Sequence, residues 1–167
     1  MSWVNFYKTR VNSSYQDYAE KRYESFIKSI PDAEFLIEAG CGIGTITKAL
    51  KKGVGIDLFQ HELATVNGIT AYFGDILNIQ DYPQVNKNQC VIHSHGVLEH
   101  FDHESLVKII ELQKSISSLG VHYIPSDKYK KGSFGDERLF PVSYWEQFGR
   151  VETFNNGFDL ILFVGEG

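Results

Sequence analysis

The chain has 167 residues, of which 43% are hydrophobic and 22% are charged, and its formal net charge is −5. This length and composition predict one soluble globular domain, because the chain is too short to bury two good cores. The acidic balance argues against the large basic surface that nucleic-acid backbones require, so we do not expect a nucleic-acid partner.

The amino terminus shows no secretory signal. Residues 1–10 include Lys8 and Arg10 and lack an apolar segment, and no later run approaches the length of a membrane span. Cys41 and Cys90 are too few for a disulfide framework, and we expect both to be small buried residues. We therefore expect a cytoplasmic protein without a membrane partner.

An amphipathic helix is predicted from Ser14 to Ile30. Its apolar side chains recur at helical spacing, Ser14-x-x-Asp17 forms a capping box, and a proline follows its end. Aromatic side chains at this spacing mostly pack on a sheet, but Tyr15 and Tyr18 could also present ring faces to a cationic ligand. Both alternatives stay open at this point.

A glycine-rich loop follows the first predicted strand. The apolar run Phe35-Leu36-Ile37 stops at Glu38, and Gly40, Gly42 and Gly44 follow at alternate positions before a helical pattern begins at Thr45. Glycines let the backbone turn sharply and approach a ligand, while the N–H groups of a new helix favour a negatively charged group. We interpret this stretch as a ligand-binding loop between a strand and a helix.

The spacing of the glycines distinguishes between two cofactors. The dinucleotide fingerprint is G-x-G-x-x-G, whereas the third glycine here comes one residue early. The pattern Glu-x-Gly-x-Gly-x-Gly resembles the first motif of class I S-adenosylmethionine-dependent methyltransferases. The resemblance implies that Glu38 and the loop hold the methionine part of the cofactor, and that the leading helix covers cofactor and substrate.

Two further acids end the next two predicted strands. A strand over residues 53–57 ends in Asp57, and a strand over residues 69–73 runs into Gly74-Asp75-Ile76. An acid in the position of Asp57 can accept hydrogen bonds from ribose hydroxyls, although Asp after a strand is also a common helix cap. The resemblance implies ribose binding by Asp57, and adenine binding by Asp75 and the N–H that follows it.

The fourth predicted strand, Gln89–His93, leads into a loop with a second resemblance. Its residues Val97-Leu98-Glu99-His100-Phe101 resemble the "vLEHf" segment of small-molecule methyltransferases of the ubiquinone-biosynthesis type, where the loop lines the boundary between cofactor and acceptor. The Asp-Pro-Pro-aromatic motif of amino-directed DNA methyltransferases is absent, which argues against methylation of DNA bases. A base is needed only if the acceptor arrives protonated, and the candidates are His95, Glu99, His100 and Tyr123.

The cofactor-binding residues that the resemblance implies lie in the leading helix and after the first four strands. They are Tyr15, Glu38, Gly40, Cys41, Gly42, Gly44, Asp57, Leu58, Gly74, Asp75, Ile76, Ser94 and His95.

The same loop also contains a pattern that is typical of one class of metal site. His93-x-His95 followed by Glu99 mimics the ligand set of cupin metal sites, and residues two apart in a strand point to one face. A cupin is an all-β fold, however, whereas strands here alternate with helical patterns. We therefore predict no metal.

The remaining chain contains one helix, one strand and one long loop. A helix is predicted over Asp102–Ser118 with Asp102 as its N-cap, followed by a strand over Gly120–Ile124. The segment Ser126–Phe140 is the only long loop, and we interpret it as an acceptor-binding lid.

A short helix and a hairpin are predicted at the carboxyl-terminal end. Ser143-x-x-Glu146 caps a helix that contains Trp145 and Phe148. Strands over residues 151–154 and 158–164 are joined by Asn155-Asn156-Gly157, which is a strong hairpin signal.

The resemblance covers nearly the whole chain and implies an α/β, three-layer Rossmann-like methyltransferase fold. The expected sheet is seven-stranded and mostly parallel, in the order 3-2-1-4-5-7-6, with a carboxyl-terminal antiparallel hairpin. Residues 1–167 would form one domain, with residues 1–31 as an amino-terminal cap. The implied function is methyl transfer from S-adenosyl-L-methionine, which becomes S-adenosyl-L-homocysteine, to a small-molecule acceptor.

Three alternatives to a stand-alone methyltransferase stay open. They are a non-catalytic S-adenosylmethionine-binding module, a subunit of a larger methyltransferase and, less favoured, an NAD-dependent oxidoreductase. The sequence leaves a homodimer or a partner chain equally open.

Overall fold

A computed structural model of the protein describes residues 3–130 and 136–165. Within these residues the strands are β1 (Phe35–Ala39), β2 (Val54–Asp57), β3 (Ala71–Phe73), β4 (Cys90–His95), β5 (Leu119–Pro125), β6 (Arg150–Phe154) and β7 (Asp159–Gly165). The α-helices are α1 (Trp3–Lys8), α2 (Ser13–Arg22), α3 (Glu24–Ser29), α4 (Thr45–Leu50), α5 (His61–Val66), α6 (His103–Ile116) and α7 (Val142–Trp145).

All seven strands belong to one sheet in the order β3-β2-β1-β4-β5-β7-β6. The first five strands run parallel, and β7 lies antiparallel between β5 and β6. This order and the antiparallel end confirm the predicted methyltransferase-type fold. Because parallel strands share a direction, the carboxyl ends of β1, β2, β3 and β4 meet at one edge of the sheet, where α/β proteins bind ligands.

Hydrophobic side chains alternate along the strands and fill both faces of the sheet. In β1, Ile37 packs in the larger cluster with α6 and α7, while Leu36 packs in the opposite cluster with α3 and α4. Trp145 and Phe26 are fully buried anchors of the two clusters. Each such side chain contributes about 1.5–3 kcal/mol through burial, so the sheet is a rigid support for the loops at its edge.

The amino-terminal segment differs from the prediction. The predicted helix over Ser14–Ile30 is two helices, α2 and α3, which meet at a non-helical Tyr23 with φ −108° and ψ 20°. Asn12 caps α2 in place of Ser14, because its Oδ1 accepts a hydrogen bond of 2.8 Å from the N–H of Tyr15. The helix α1 lies before them and was not predicted.

The carboxyl-terminal half mostly follows the prediction. Asp102 caps α6, since its Oδ1 accepts a hydrogen bond of 2.8 Å from the N–H of Ser105. The hairpin between β6 and β7 is confirmed. The predicted cap at Ser143 is wrong, because α7 follows Pro141 without a side-chain cap and ends before Phe148.

Part of the predicted lid is described. Residues 126–130 and 136–140 have no regular helix or strand beyond their hydrogen-bonded turns, and residues 131–135 of that prediction lie outside the described residues. No helix in the described part of the chain combines the length and apolar character needed to cross a membrane.

Candidate functional site

A cleft with two compartments lies along the carboxyl edge of the sheet. The first compartment, of about 360 Å³, lies between α1 and α2 and the ends of β1, β4 and β5. The second compartment, of about 370 Å³, lies among the loops that follow β2, β3 and β4. Tyr7, Gly40, Gly96 and His100 line both. The compartments therefore adjoin, and each has the volume of a small-molecule site.

The glycine-rich loop forms the floor where the compartments meet. Gly40, Gly42 and Gly44 have φ values of +69°, +53° and +71°, a backbone conformation that favours glycine. The N–H groups of Gly40 and Cys41 both donate to the carbonyl of Ile56, at 2.8 and 3.0 Å, and tie the loop to β2. The Tyr7 ring covers the loop, since a Cβ at Gly42 would lie 3.0 Å from it.

Glu38 supports the helix that follows this loop. Its Oε2 accepts hydrogen bonds from the N–H of Thr47 at 3.0 Å and from the Thr47 hydroxyl at 2.6 Å, which caps the first turn of α4. The carboxyl group also lines the first compartment. Burial raises the pKa of Glu38 to about 7, although the Thr47 hydrogen bonds oppose that shift.

Asp57 holds the turn before α5 and does not cap that helix, which begins after Gln60 without a side-chain cap hydrogen bond. Its Oδ1 accepts from the N–H groups of Phe59 and Gln60 at 2.8 and 2.6 Å, and its Oδ2 accepts from Gly42 at 2.9 Å. An ionised carboxylate has about four acceptor sites, so these three bonds leave room for about one more. Asp57 and Leu58 line the second compartment, where the remaining acceptor capacity is available to a ligand.

Gly74, Asp75 and Ile76 line the same second compartment. Gly74 has no space for a side chain, because a Cβ would lie 2.6 Å from Cγ2 of Ile56. The Asp75 N–H donates to Oδ2 of Asp81 at 2.8 Å, and its Oδ1 accepts from the N–H of Leu77 at 2.9 Å. Sequence reasoning missed Asp81, which holds this turn in place.

All four candidate bases, His95, Glu99, His100 and Tyr123, line the first compartment. The His95 ring lies between Tyr23, 4.1 Å away in an edge contact, and Tyr123, 4.6 Å away in a stacked contact. Burial lowers the pKa of His95 to about 3, so the imidazole is neutral at pH 7. Burial, and then the nearby acids Glu137 and Asp136, raise the pKa of Glu99 to about 8.

Tyr123 and His100 have other partners. The Tyr123 hydroxyl donates to Oδ1 of Asp159 at 2.9 Å, and burial raises its pKa, which disfavours a role as a base. His100 lies with its Nδ1 3.1 Å from Oδ1 of Asp136, at the border of the two compartments.

The structure does not bring every predicted residue into the cleft. Ser94 is fully buried, and its hydroxyl forms a hydrogen bond of 2.8 Å with Nδ1 of His122. His93 is also fully buried and lines neither compartment, so the cupin-like set of His93, His95 and Glu99 does not converge on the cleft. Cys41 is buried against Gly55 and lines the first compartment. Tyr15 also lines the first compartment.

A polar network that the sequence did not reveal closes the far side of the first compartment. Arg22 forms an ion pair of 2.7 Å with the fully buried Asp159 and donates to the Tyr129 hydroxyl at 2.9 Å. Tyr129 donates in turn to Asp159 at 2.8 Å. The network joins α2 to the segment after β5 and to β7. No local sequence signal could have found it, because its members are far apart in the chain.

Neither a protein-family model nor a curated protein matches this sequence. Solved structures resemble it. A SAM-dependent methyltransferase from Thermotoga maritima superposes with a TM-score of 0.75 and 14% identity, over 98% of this chain and 96% of that one. The small RNA methyltransferase HEN1 superposes with a TM-score of 0.68 and 17% identity over 89% of this chain, which spans only 25% of the HEN1 chain. The methyltransferase chain in a complex with the Haloferax volcanii Trm112 activator superposes with a TM-score of 0.68 and 10% identity, over 94% of this chain and 96% of that one. At these identities the likeness shows the fold.

Proposed function

We propose that this chain, whose fold is that of class I S-adenosylmethionine-dependent methyltransferases, transfers a methyl group from S-adenosylmethionine to a small molecule. The observation that supports this best is the pair of adjoining compartments above a glycine-rich loop. Glu38, Asp57 and Asp75 lie at or just after the ends of three successive strands at this edge. An elongated ligand could therefore make separate polar contacts along the cleft. An extended cofactor therefore has a place for each of its two ends.

The residues present fit this cofactor. Asp57 and Asp75 would hold the adenosine part in the second compartment, and the glycine-rich loop with Glu38 would hold the amino-acid part. S-adenosylmethionine supplies a methyl carbon already activated by its sulfonium, so the protein must mainly align the partners and exclude water. Tyr7, which lines both compartments, shields their junction from solvent.

The part of the first compartment that the amino-acid end of the cofactor leaves free would receive the methyl acceptor. Its aromatic side chains, among them Tyr15, Tyr23 and Tyr123, provide flat apolar walls that remove an acceptor from water. Glu99 is the candidate proton acceptor, because its pKa of about 8 is closer to neutral pH than that of His95 at about 3. The volume of about 360 Å³ favours a small molecule over a macromolecular segment.

Calorimetry tests the cofactor. We expect S-adenosylhomocysteine to bind with one site per chain and NAD to give no heat of binding. Asp75→Ala removes a charged acceptor in the second compartment and should weaken binding about 10–100-fold. Asp32→Asn, which alters an exposed acid paired with Lys52, is the matched control and should bind as the unaltered protein does. Tight binding of NAD with no response to S-adenosylhomocysteine would end the proposal.

A second candidate function is a non-catalytic binding module or a subunit of a larger methyltransferase. The structure of the Haloferax volcanii protein with its activator shows that a chain of this fold can work with a partner. Incubation with radiolabelled S-adenosylmethionine and a fractionated metabolite extract separates the two functions. Cofactor binding without transfer to any fraction, and transfer only after cell lysate protein is added, would favour the subunit.

A further inference from the structure

A cluster of acids around His100 lies where two separate segments meet. The Arg138 N–H donates to the carbonyl of Glu99 at 2.7 Å, and its Nη1 donates to the carbonyl of His100 at 2.9 Å. These bonds dock residues 136–138 onto the turn that follows β4. One possible ligand atom from each of His100, Asp136 and Glu137 therefore lies within 4.8 Å of the other two.

A fourth group adjoins His100 from inside the protein, outside the set of three whose ligand atoms lie within 4.8 Å of one another. Glu99 is only 3% exposed, and its Oε2 has no hydrogen-bond partner among the residues that the structure describes. Glu99, His100 and Glu137 all line the first compartment, and Oε1 of Glu99 lies 3.9 Å from Nε2 of His100. A buried carboxyl group without a partner costs about 1–3 kcal/mol or more, so a cation bound beside Glu99 would stabilise this arrangement.

We propose that His100, Asp136 and Glu137 bind one divalent cation, Mg²⁺ or Mn²⁺, at the border of the two compartments, beside the buried carboxyl group of Glu99. Carboxylates with one imidazole form an oxygen-rich set of hard ligands, which suits these ions better than zinc or copper. Ligand atoms of Mg²⁺ lie at most about 4.2 Å apart, so side chains whose ligand atoms lie within 4.8 Å of one another must close around the ion.

This site differs from the cupin-like set of His93, His95 and Glu99. It takes His100 in place of His93 and His95, keeps Glu99 only as a neighbouring carboxyl group, and adds two acids that lie more than thirty residues later in the chain. A cation bound beside Glu99 would stabilise its ionised form, which is the form that can accept a proton. Cation binding by these side chains does not depend on the proposed methyl transfer.

Titration of the chelator-treated full chain with MnCl₂ tests the site. Electron paramagnetic resonance of free Mn²⁺, with calorimetry in parallel, should show one ion bound per chain. Asp136→Asn and Glu137→Gln each remove one carboxylate at the accessible end of the cluster, and each should weaken Mn²⁺ binding at least about tenfold. Asp32→Asn, outside the cleft, should leave the affinity unchanged.

Two outcomes would overturn the cation site. One is the absence of bound Mn²⁺ and Mg²⁺ at millimolar concentration, and the other is unchanged affinity in both Asp136→Asn and Glu137→Gln. Circular dichroism and S-adenosylhomocysteine titration establish that each variant is folded. S-adenosylhomocysteine binding without Mn²⁺ binding removes the cation proposal alone, whereas Mn²⁺ binding without S-adenosylhomocysteine binding removes the methyltransferase proposal alone.

Discussion

Asp57 joins two loops of the cleft to the end of β2 through one carboxylate. It bonds the glycine-rich loop at Gly42 and the turn before α5 at Phe59 and Gln60. Backbone hydrogen bonds therefore fix the Asp57 carboxylate before a ligand binds. A ligand that donates to this carboxylate loses little free energy to ordering of the side chain.

We expect Asp57→Ala to lower both stability and cofactor affinity. Loss of the backbone hydrogen bonds should reduce the free energy of unfolding by about 1–3 kcal/mol, and urea denaturation measures this. Asp75→Ala is the matched control, because among the described residues the Asp75 side chain accepts a hydrogen bond only from the Leu77 N–H, so its loss should cost less stability. Unfolding free energies that are equal in Asp57→Ala and the unaltered protein would show that water replaces the Asp57 carboxylate.

Glu38 makes stability depend on pH. Burial raises its pKa from the ordinary value of 4.5 to about 7, so between these values the folded chain keeps a proton that the unfolded chain has released. The stability that this group contributes is therefore greatest below about pH 4.5, falls as pH rises and levels off above about pH 7. The total loss is about 3 kcal/mol.

The variant Glu38→Gln removes that dependence. Its unfolding free energy should fall less than that of the unaltered protein between about pH 5 and about pH 8, measured by urea denaturation at each pH. Thr47→Val, which removes the hydroxyl donor to Glu38, should instead steepen the fall. Parallel curves for Glu38→Gln and the unaltered protein would contradict a raised pKa.

At the scale of residues, the sequence predicted the positions of the acidic side chains at the strand ends better than their hydrogen-bond partners. The acids Glu38, Asp57 and Asp75 could be placed because the apolar runs before them end sharply. Their donors could not, because the donors belong to loop conformations that no periodicity encodes. Ser94 was expected in a loop, yet β4 extends to His95, and strand alternation directs Ser94 away from the cleft.

The glycine-rich loop and α4 form one element whose packing can be tested. Gly44 and Gly68 both have positive φ, at +71° and +89°, but a Cβ at Gly44 would lie 2.7 Å from Ile69 whereas Gly68 has open space. Gly68→Ala should cost about 1–2 kcal/mol from backbone conformation alone. Gly44→Ala should cost about 1–3 kcal/mol more from overpacking.

Thermal and urea unfolding of both variants provide the comparison. A larger loss for Gly44→Ala is expected, together with weaker S-adenosylhomocysteine binding that Gly68→Ala does not show. Equal losses would mean that the Ile69 side chain moves aside at no cost.

The ends of helices were predictable where a neighbouring residue caps the helix. They were not predictable where contacts with distant residues determine the end of the helix. Asp102 begins α6 through a bond within its own turn. The break at Tyr23, in contrast, coincides with ring contacts to His95 and Tyr123, which lie more than seventy residues away. Packing against distant rings thus redirects a segment whose own spacing favours one continuous helix.

At the scale of the whole molecule, the cleft is enclosed by segments from distant parts of the chain. Arg22 bonds Tyr129, and Arg138 bonds the turn at Glu99, so α2 and the described parts of the predicted lid both contact the cleft. We expect S-adenosylhomocysteine to slow amide exchange in Tyr15–Tyr18 and in residues 136–140. Hydrogen exchange with mass spectrometry measures this, with the outer turns of α6 as the internal control. Unchanged amide exchange in both segments at saturating S-adenosylhomocysteine would contradict the expectation that both segments close over the bound ligand.

The overall fold could be anticipated because buried parallel strands leave strong apolar runs, and its strand order came with the family resemblance. The contacts across the cleft could not, since each joins residues that are separated by tens of positions. Arg22 and Asp159 are an example: only the folded sheet brings their charges within 2.7 Å.

The position of β7 has a consequence for how the chain is made. This strand is the last of the sheet to leave the ribosome, yet it lies between β5 and β6 and carries Asp159, the acid to which Arg22 and Tyr129 bind. A nascent chain that ends before Asp159 has an open edge on β5 and an unpaired β6, which are sites for aggregation or chaperone capture. Translation must therefore pass this strand before Arg22 and Tyr129 can bind Asp159, so an incomplete product lacks the network that closes the first compartment.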